Sequence, residues 1–345
     1  MPPKRARAST HPLVVTMADV AREAAVSRAT VSRVLSGSAE VASERRDRVL
    51  TAINELGYVP SSGAQQLAAG RSRSVGLLIR DSRNPTYGLL HAEVQKWADE
   101  AGLKIITAMP TYYRGAVQEM DALRRLLGMR VGGLLVATGV VRTADIKQFT
   151  SVLPVVSVGR PESDPDVYGV SYDEIGNATQ LAHAVHDHGH RRIAVVSPST
   201  EHSLAEHLRG ATSAAVLRDL GCEVMKIDTK LFDAPGEPNV EITDLVRAGK
   251  VTAVMFSNDL RMLDFVTYAR RHGIHVPRDV SVIGCDGVLH GLSYMDFASL
   301  RVPVETVARR SIEVMARLLE APEEGEVFHE TYSGELRLAG SLGRP

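Results

Sequence analysis

The chain has 345 residues, 44% hydrophobic and 23% charged, which is enough for two or three folding units and too apolar for a disordered chain. Its two cysteines, Cys222 and Cys285, form no C-x-x-C pair, so neither a disulfide framework nor a zinc site is indicated. The net charge of -1 is unevenly placed: residues 1–73 hold 11 Lys and Arg against 6 Asp and Glu, and the remainder holds 29 against 35. A basic head drawn to phosphates therefore precedes an acidic body that phosphates repel. The apolar run Leu13-Val14-Val15 is too short for a signal peptide, and Arg, Asp or Gly interrupts every candidate membrane helix, so a cytoplasmic protein without a membrane partner is expected.

Residues 1–14 read as a disordered basic tail. Thr16-Met-Ala-Asp19 has capping-box spacing and places the start of a first helix, whose apolar stripe is Val20, Ala21 and Ala24. Ser27 is a second N-cap candidate immediately after it. The following run places Val31, Val34 and Leu35 on one face and Arg28, Ala29, Ser32 and Arg33 on the other. A third helix from about Ser43 carries Val49, Ala52, Ile53 and Leu56 and ends at Gly57, closing a three-helix core.

An outer face of small and basic side chains fits the major groove of double-stranded DNA, where Arg forks onto a guanine edge and Ala touches a thymine methyl. Arg28, Ala29 and Arg33 are the expected base contacts, and Thr30 and Ser32 the expected phosphate contacts. The capping residues Thr16 and Ser27 complete the DNA-binding set within this helix-turn-helix unit, residues 15–59.

The stretch from Val15 to Leu35 resembles the head of the LacI/GalR family of bacterial repressors. One departure lies in the turn, where Ala25, a residue that resists positive φ, stands in place of the family's usual Gly. Residues 60–73 are a short segment, marginal as a helix unless something packs on it. The resemblance implies that Ala64-Gln65-Gln66-Leu67-Ala68 is the hinge helix, with Leu67 wedged into the minor groove at a cost of a few kcal/mol of unstacking.

From Ser74 onward, short apolar runs alternate with helical patterns. Val75–Ile79, Lys104–Ala108, Gly133–Ala137, Val155–Val158, Arg192–Val196, Cys222–Ile227, Ala253–Phe256 and Val280–Gly284 read as buried parallel strands. Two doubly wound α/β sheets in series are expected, with ligands at the carboxyl ends of the strands. The polar residues there are Asn84, Tyr87, Arg160, Asn258, Asp259 and Asp286.

The phrases Asn84-Pro85, Gly189–Ala194, Asn258-Asp259 and Val280–Asp286 extend the resemblance to the family's two-lobed, periplasmic-binding-protein-like effector domain, residues 74–345. It implies a homodimer whose cleft takes a small-molecule effector, a sugar or related metabolite. Lobe one is expected over about 74–165 plus 300–328, and lobe two over about 166–299 plus 329–345. His207 stands where the family commonly places an Arg that clamps ligand oxygens, three residues before Gly210. A histidine lacks that bidentate fork.

Two rival readings exist. His183, His186, His188 and His190 suggest a metal, but the helix ends between them, and solvated histidines suit a helix C-terminus. No nucleophile-elbow, P-loop or dinucleotide fingerprint is present, so no enzyme, cofactor or metal is expected. A cytoplasmic solute-binding protein would share the body but gives no reason for the basic head.

Overall fold

Reciprocal capping starts the chain's first helix, α1 (Met17–Glu23). The Thr16 hydroxyl accepts from the Asp19 amide at 3.3 Å, and the Asp19 carboxylate accepts from the Thr16 amide at 2.9 Å. Two donors that a helix end leaves open are thereby met. The Thr16 hydroxyl and amide hold the Asp19 carboxyl below its ordinary range. Helix α2 (Arg28–Leu35) begins at Ser27, whose hydroxyl accepts from the Thr30 amide at 3.1 Å. Helix α3 (Ser43–Leu56) stops at Gly57, which takes the left-handed conformation at φ 62. Val20, Ala21, Ala24, Val31, Val34, Val49 and Ala52 make one small core, closed by Val41 and Tyr58 from the connecting segments.

The computed structural model describes residues 15–36, 38, 40–59, 72–81, 83–110, 115–229, 237–321 and 326–345. The chain divides into two compact units, Met1–Ser72 and Arg73–Pro345. The expected hinge helix with Leu67 lies outside the described residues.

In the second unit, near-continuous Val, Ile and Leu runs form the central strands of two sheets, buried on both faces as parallel sheets between helices require. The first sheet has the order β11-β5-β4-β3-β1-β2, all parallel, from β1 (Ser74–Ile79), β2 (Lys104–Ala108), β3 (Gly133–Ala137), β4 (Val155–Val158), β5 (Tyr168–Tyr172) and β11 (His329–Tyr332). Helices α4 (Pro85–Glu100), α5 (Ala116–Gly128), α6 (Thr143–Lys147) and α11 (Val304–Glu320) accompany it. The second sheet has the order β12-β10-β9-β8-β6-β7, from β6 (Arg192–Pro198), β7 (Glu223–Thr229), β8 (Ala253–Phe256), β9 (Ser281–Asp286), β10 (Ser299–Arg301) and β12 (Glu335–Arg337). Helices α7 (Glu174–Asp187), α8 (Leu204–Asp219), α9 (Glu237–Arg247) and α10 (Asp259–Arg271) follow in chain order. β12 is the antiparallel exception, pairing with β10 at the sheet edge.

These pairings correct the expected lobe boundaries. β5 and β11 complete the first sheet, so the chain leaves it near residue 173 and again near 333, later than 166 and 329. β10 pairs with β9, so the return to lobe one begins after Arg301 instead of at 300. Among the described residues no helix is long and apolar enough to cross a membrane.

Candidate functional site

Two surfaces carry the residues singled out from the sequence. On the helical unit, the core positions Val31 and Val34 turn the opposite face of α2 outward. Arg28, Ala29 and Arg33 are exposed there, and neither guanidinium has a hydrogen bond or ion pair among the described residues. Arg22, by contrast, is tied to Asp19. The Ser27 and Thr30 hydroxyls bond each other at 2.9 Å, and the Thr16 hydroxyl donates to Asp19 at 2.6 Å. Thr16, Ser27 and Thr30 are thus engaged in shaping helix starts, while Ser32 is half-buried beside Arg28 and Arg33. The turn needs a left-handed residue, and Ala25 supplies it at φ 50.

The second surface is a cleft of about 300 Å³ at the carboxyl ends of the strands of both sheets. Asn84, Tyr87, Asn258 and Asp286 all line it. Asn84, Ser203 and Asn258 cap α4, α8 and α10 there, accepting from the amides of Thr86 at 2.9 Å, Glu206 at 3.3 Å and Arg261 at 2.9 Å. The Leu204 amide donates to the Gly139 carbonyl at 3.2 Å, joining the start of α8 to the loop after β3 across the two lobes.

Arg209 dominates the electrostatics. Its side chain is 5% exposed and forks onto Glu174, 1% exposed, at 2.8 and 3.0 Å. It also donates to the Ser257 carbonyl and lies 3.4 Å from Asp286. Burial raises the Asp286 carboxyl to about 8 against the pull of Arg209, with Asp259, Glu206 and Glu174 adding repulsion. Asp286 also sits at φ 95, and a Cβ on the following Gly287, at φ 62, would fall 2.5 Å from Arg301 Cα. Any side chain at 287 would meet that crowding.

Asp259 lies beneath this turn, accepting from the Gly287 amide and the Ser299 hydroxyl, both at 2.7 Å. It does not line the cleft, and burial lifts it to about 7. Glu206 is half-buried, and Arg261, the Ser257 hydroxyl and Arg209 outweigh the cost of its desolvation and hold it below the ordinary range. Tyr87 is pushed up to about 12 by burial.

Three expectations are corrected. His207 does not reach the cleft: its Nδ1 is 3.0 Å from the Pro198 carbonyl oxygen, and Arg209 enters instead. Two residues along a helix is a rotation of about 200°, so only one of these positions can face the ligand. Arg160 does not line the cleft either. It is buried behind it, donating to the Val141 carbonyl and to the Thr143 hydroxyl at 2.9 Å, and so fixes the loop after β3. His190 is fully buried, with Nδ1 2.9 Å from the Thr252 hydroxyl and Nε2 3.0 Å from the Gly343 carbonyl, so it is a packing residue and no solvated helix end. Among the described residues no three His, Cys, Asp or Glu side chains are grouped to hold a metal ion.

Sequence reasoning missed Arg209, Glu174, Arg80 and Glu206 as cleft residues. The signal for Glu206 and Arg209 was their place in the first two turns of α8, and for Arg80 its place at the end of β1.

Residues 16–61 match the family model of bacterial regulatory proteins of the lacI family, and residues 182–336 that of the periplasmic binding protein-like domain. Catabolite control protein A of Priestia megaterium is 31% identical over 277 residues, 79% of this chain and 82% of the relative. The lac repressor dimer bound to operator and the anti-inducer ONPF superposes with a TM-score of 0.81 at 21% identity, covering 95% of this chain and 99% of that one, a likeness of fold. A complex of the transcriptional regulator CelR with cellobiose gives a TM-score of 0.65 at 27% identity, again over 95% and 99%.

Proposed function

The chain belongs to the LacI family of DNA-binding transcriptional regulators, and we propose that it is a repressor that binds a near-palindromic operator as a homodimer under control of a small-molecule effector. Regulators of this family are not enzymes. The observation that carries the proposal is the outward face of α2, where two arginines without hydrogen-bond or ion-pair partners among the described residues flank Ala29 on a capped, three-helix unit.

In this reading Arg28, Ala29 and Arg33 meet base edges, and Ser32 with Thr16, Ser27 and Thr30 lies along the phosphates. Leu67 enters the minor groove at the centre of the site. A single three-helix unit reads too few base pairs for a genomic address, so two of them on a two-fold site are expected. The effector is a sugar or related metabolite in the cleft, a view supported by the cellobiose complex of CelR and by the cleft's polar lining. A ligand that favours one lobe arrangement shifts the population competent for DNA. Action on DNA places the protein in the cytoplasm.

Selection of sites from a random DNA pool with the full-length protein, at one fixed salt concentration, tests the proposal. Enrichment of a near-palindrome is expected. No enrichment by a folded dimer would leave the solute-binding reading in front.

A further inference from the structure

We propose that the cleft is built for a ligand bearing an oxyanion, a carboxylate or phosphate group, clamped between Arg80 of the first lobe and Arg261 of the second. The proposal rests on the reading of the cleft as an effector site and names the charge of its occupant.

Unmet donors come first. Arg80 stands one residue beyond the carboxyl end of β1, and Arg261 in the first turn of α10, so each lobe presents one guanidinium to the same cavity. Arg80 has neither a hydrogen bond nor an ion pair among the described residues, and its Nη2 is buried. Arg261 Nε is likewise buried without a hydrogen bond, with Glu206 Oε2 3.6 Å away. Both charges act on Glu206, which sets the two groups around one point. A buried donor left unpaired carries its full desolvation cost, so these atoms call for an acceptor from outside the chain.

Charge comes second. Six carboxylates line the cavity, and most of them are already answered. Glu174 takes the fork of Arg209, and Asp81 pairs with Arg83 at 3.1 Å. Burial raises Asp286 to about 8, so this group carries a proton near neutrality, and Asp264 is exposed to water. Burial also raises Glu119, which accepts from the Thr138 hydroxyl. Glu206 stays ionised beside Arg261, with the Ser257 hydroxyl and the Asn258 amide donating to the same oxygen at 2.7 and 2.9 Å. Among the described residues Arg80 is thus the cleft arginine without a carboxylate at ion-pair distance.

A neutral hydroxyl would meet one of these donors and leave the charge of Arg80 unbalanced. An oxyanion has two or three oxygens, enough for both guanidinium groups, in charge-assisted bonds about twice as strong as neutral ones. The hydroxyls of Tyr172 and Thr86, residues at 6% and 8% exposure, line the same cavity without a hydrogen bond and add donors of the kind an oxyanion takes. The volume of about 300 Å³ admits a small organic acid or phosphate ester. Because the two arginines belong to different lobes, one oxyanion between them favours the arrangement that brings the lobes together.

The test is calorimetric titration of the full-length protein, at one ionic strength held with chloride, with inorganic phosphate, D-glucose, D-glucose 6-phosphate and D-glucuronate. The two charged sugars share one neutral parent and so separate a phosphate from a carboxylate. At least one of them is expected to bind about tenfold or more tightly than D-glucose. Arg80→Gln removes a group without a partner in the chain, so an undiminished melting midpoint checks its fold; it should bring that ratio close to one, and Arg261→Gln should do the same. Arg80→Lys, which keeps the charge and loses the fork, should restore part of the preference. D-glucose binding as well as both charged sugars overturns the oxyanion and leaves the effector site standing. A preference that survives Arg80→Gln also overturns it, by assigning the anion to the basic helical unit. No binding of phosphate or of either charged sugar at about 10 mM overturns it as well, and operator selection, which needs no ligand, then judges the regulator reading separately.

Discussion

Ala25 carries the clearest strain in the helical unit. Its φ of 50 lies where a Cβ crowds the following carbonyl, at a cost of about 1–2 kcal/mol, offset in part by the smaller unfolded-state entropy of alanine. Ala25→Gly should therefore stabilise this unit by about 0.5–1 kcal/mol, seen as a raised midpoint in calorimetry. A lowered midpoint would mean that the turn accommodates alanine without strain. Arg33→Ala tests the reading face: loss of a bidentate base contact should cost about 1–3 kcal/mol and relax the preference at one operator position. Equal weakening on every sequence would reassign Arg33 to the phosphates.

At the scale of elements, short segments are decided by what they join. The turn after β9 is held by Asp259, which reaches from the start of α10 to the Gly287 amide and the Ser299 hydroxyl, so β9, β10 and α10 act as one support for Asp286. The hinge segment makes a different prediction. If Leu67 wedges between base steps, Leu67→Ala should weaken binding to the selected operator more than binding to random duplex, measured at the same salt concentration. Parallel losses on both DNAs would remove the wedge.

The whole body carries a pH dependence that follows from its buried acids. Asp259 at about 7 and Asp286 at about 8 stand above their unfolded value of 3.8, so between about pH 4 and 8 the folded state holds more protons than the unfolded one. Their contribution is fully present below the unfolded value and is lost as pH rises through 7 and 8. Carboxyls shifted downward, such as Glu206 and the exposed Asp279 at about 2, act in the opposite sense and only toward the acid end of this range or below it. Buried His190, whose pKa burial lowers from 6.5, acts in the opposite sense only below that value, so the melting temperature of the ligand-free body should fall between about pH 6.5 and 8.5, and Asp286→Asn should flatten that fall. A midpoint that rises across the same interval would contradict the shifts.

Local structure follows from the order of residues alone. Caps at Thr16, Ser27, Asn84 and Asn258, the left-handed stop at Gly57 and the largely apolar runs of β1, β3, β4 and β8 depend on neighbours a few residues away. Periodicity and hydrogen-bonding chemistry therefore display them directly. The tertiary structure decided what depends on distant partners. β5 and β11 are short and mixed in polarity, and only pairing assigns them to the first sheet, β5 beside β4 and β11 beside a β5 that lies 160 residues earlier in the chain. His190 is a core residue because Thr252 and Gly343 close around it. Arg209, and not His207, enters the cleft because its helical face looks toward Glu174, Ser257 and Asp286, groups brought to it from three other parts of the fold. Side-chain direction and burial are properties of packed neighbours, and those neighbours are set by the topology rather than by adjacency along the chain.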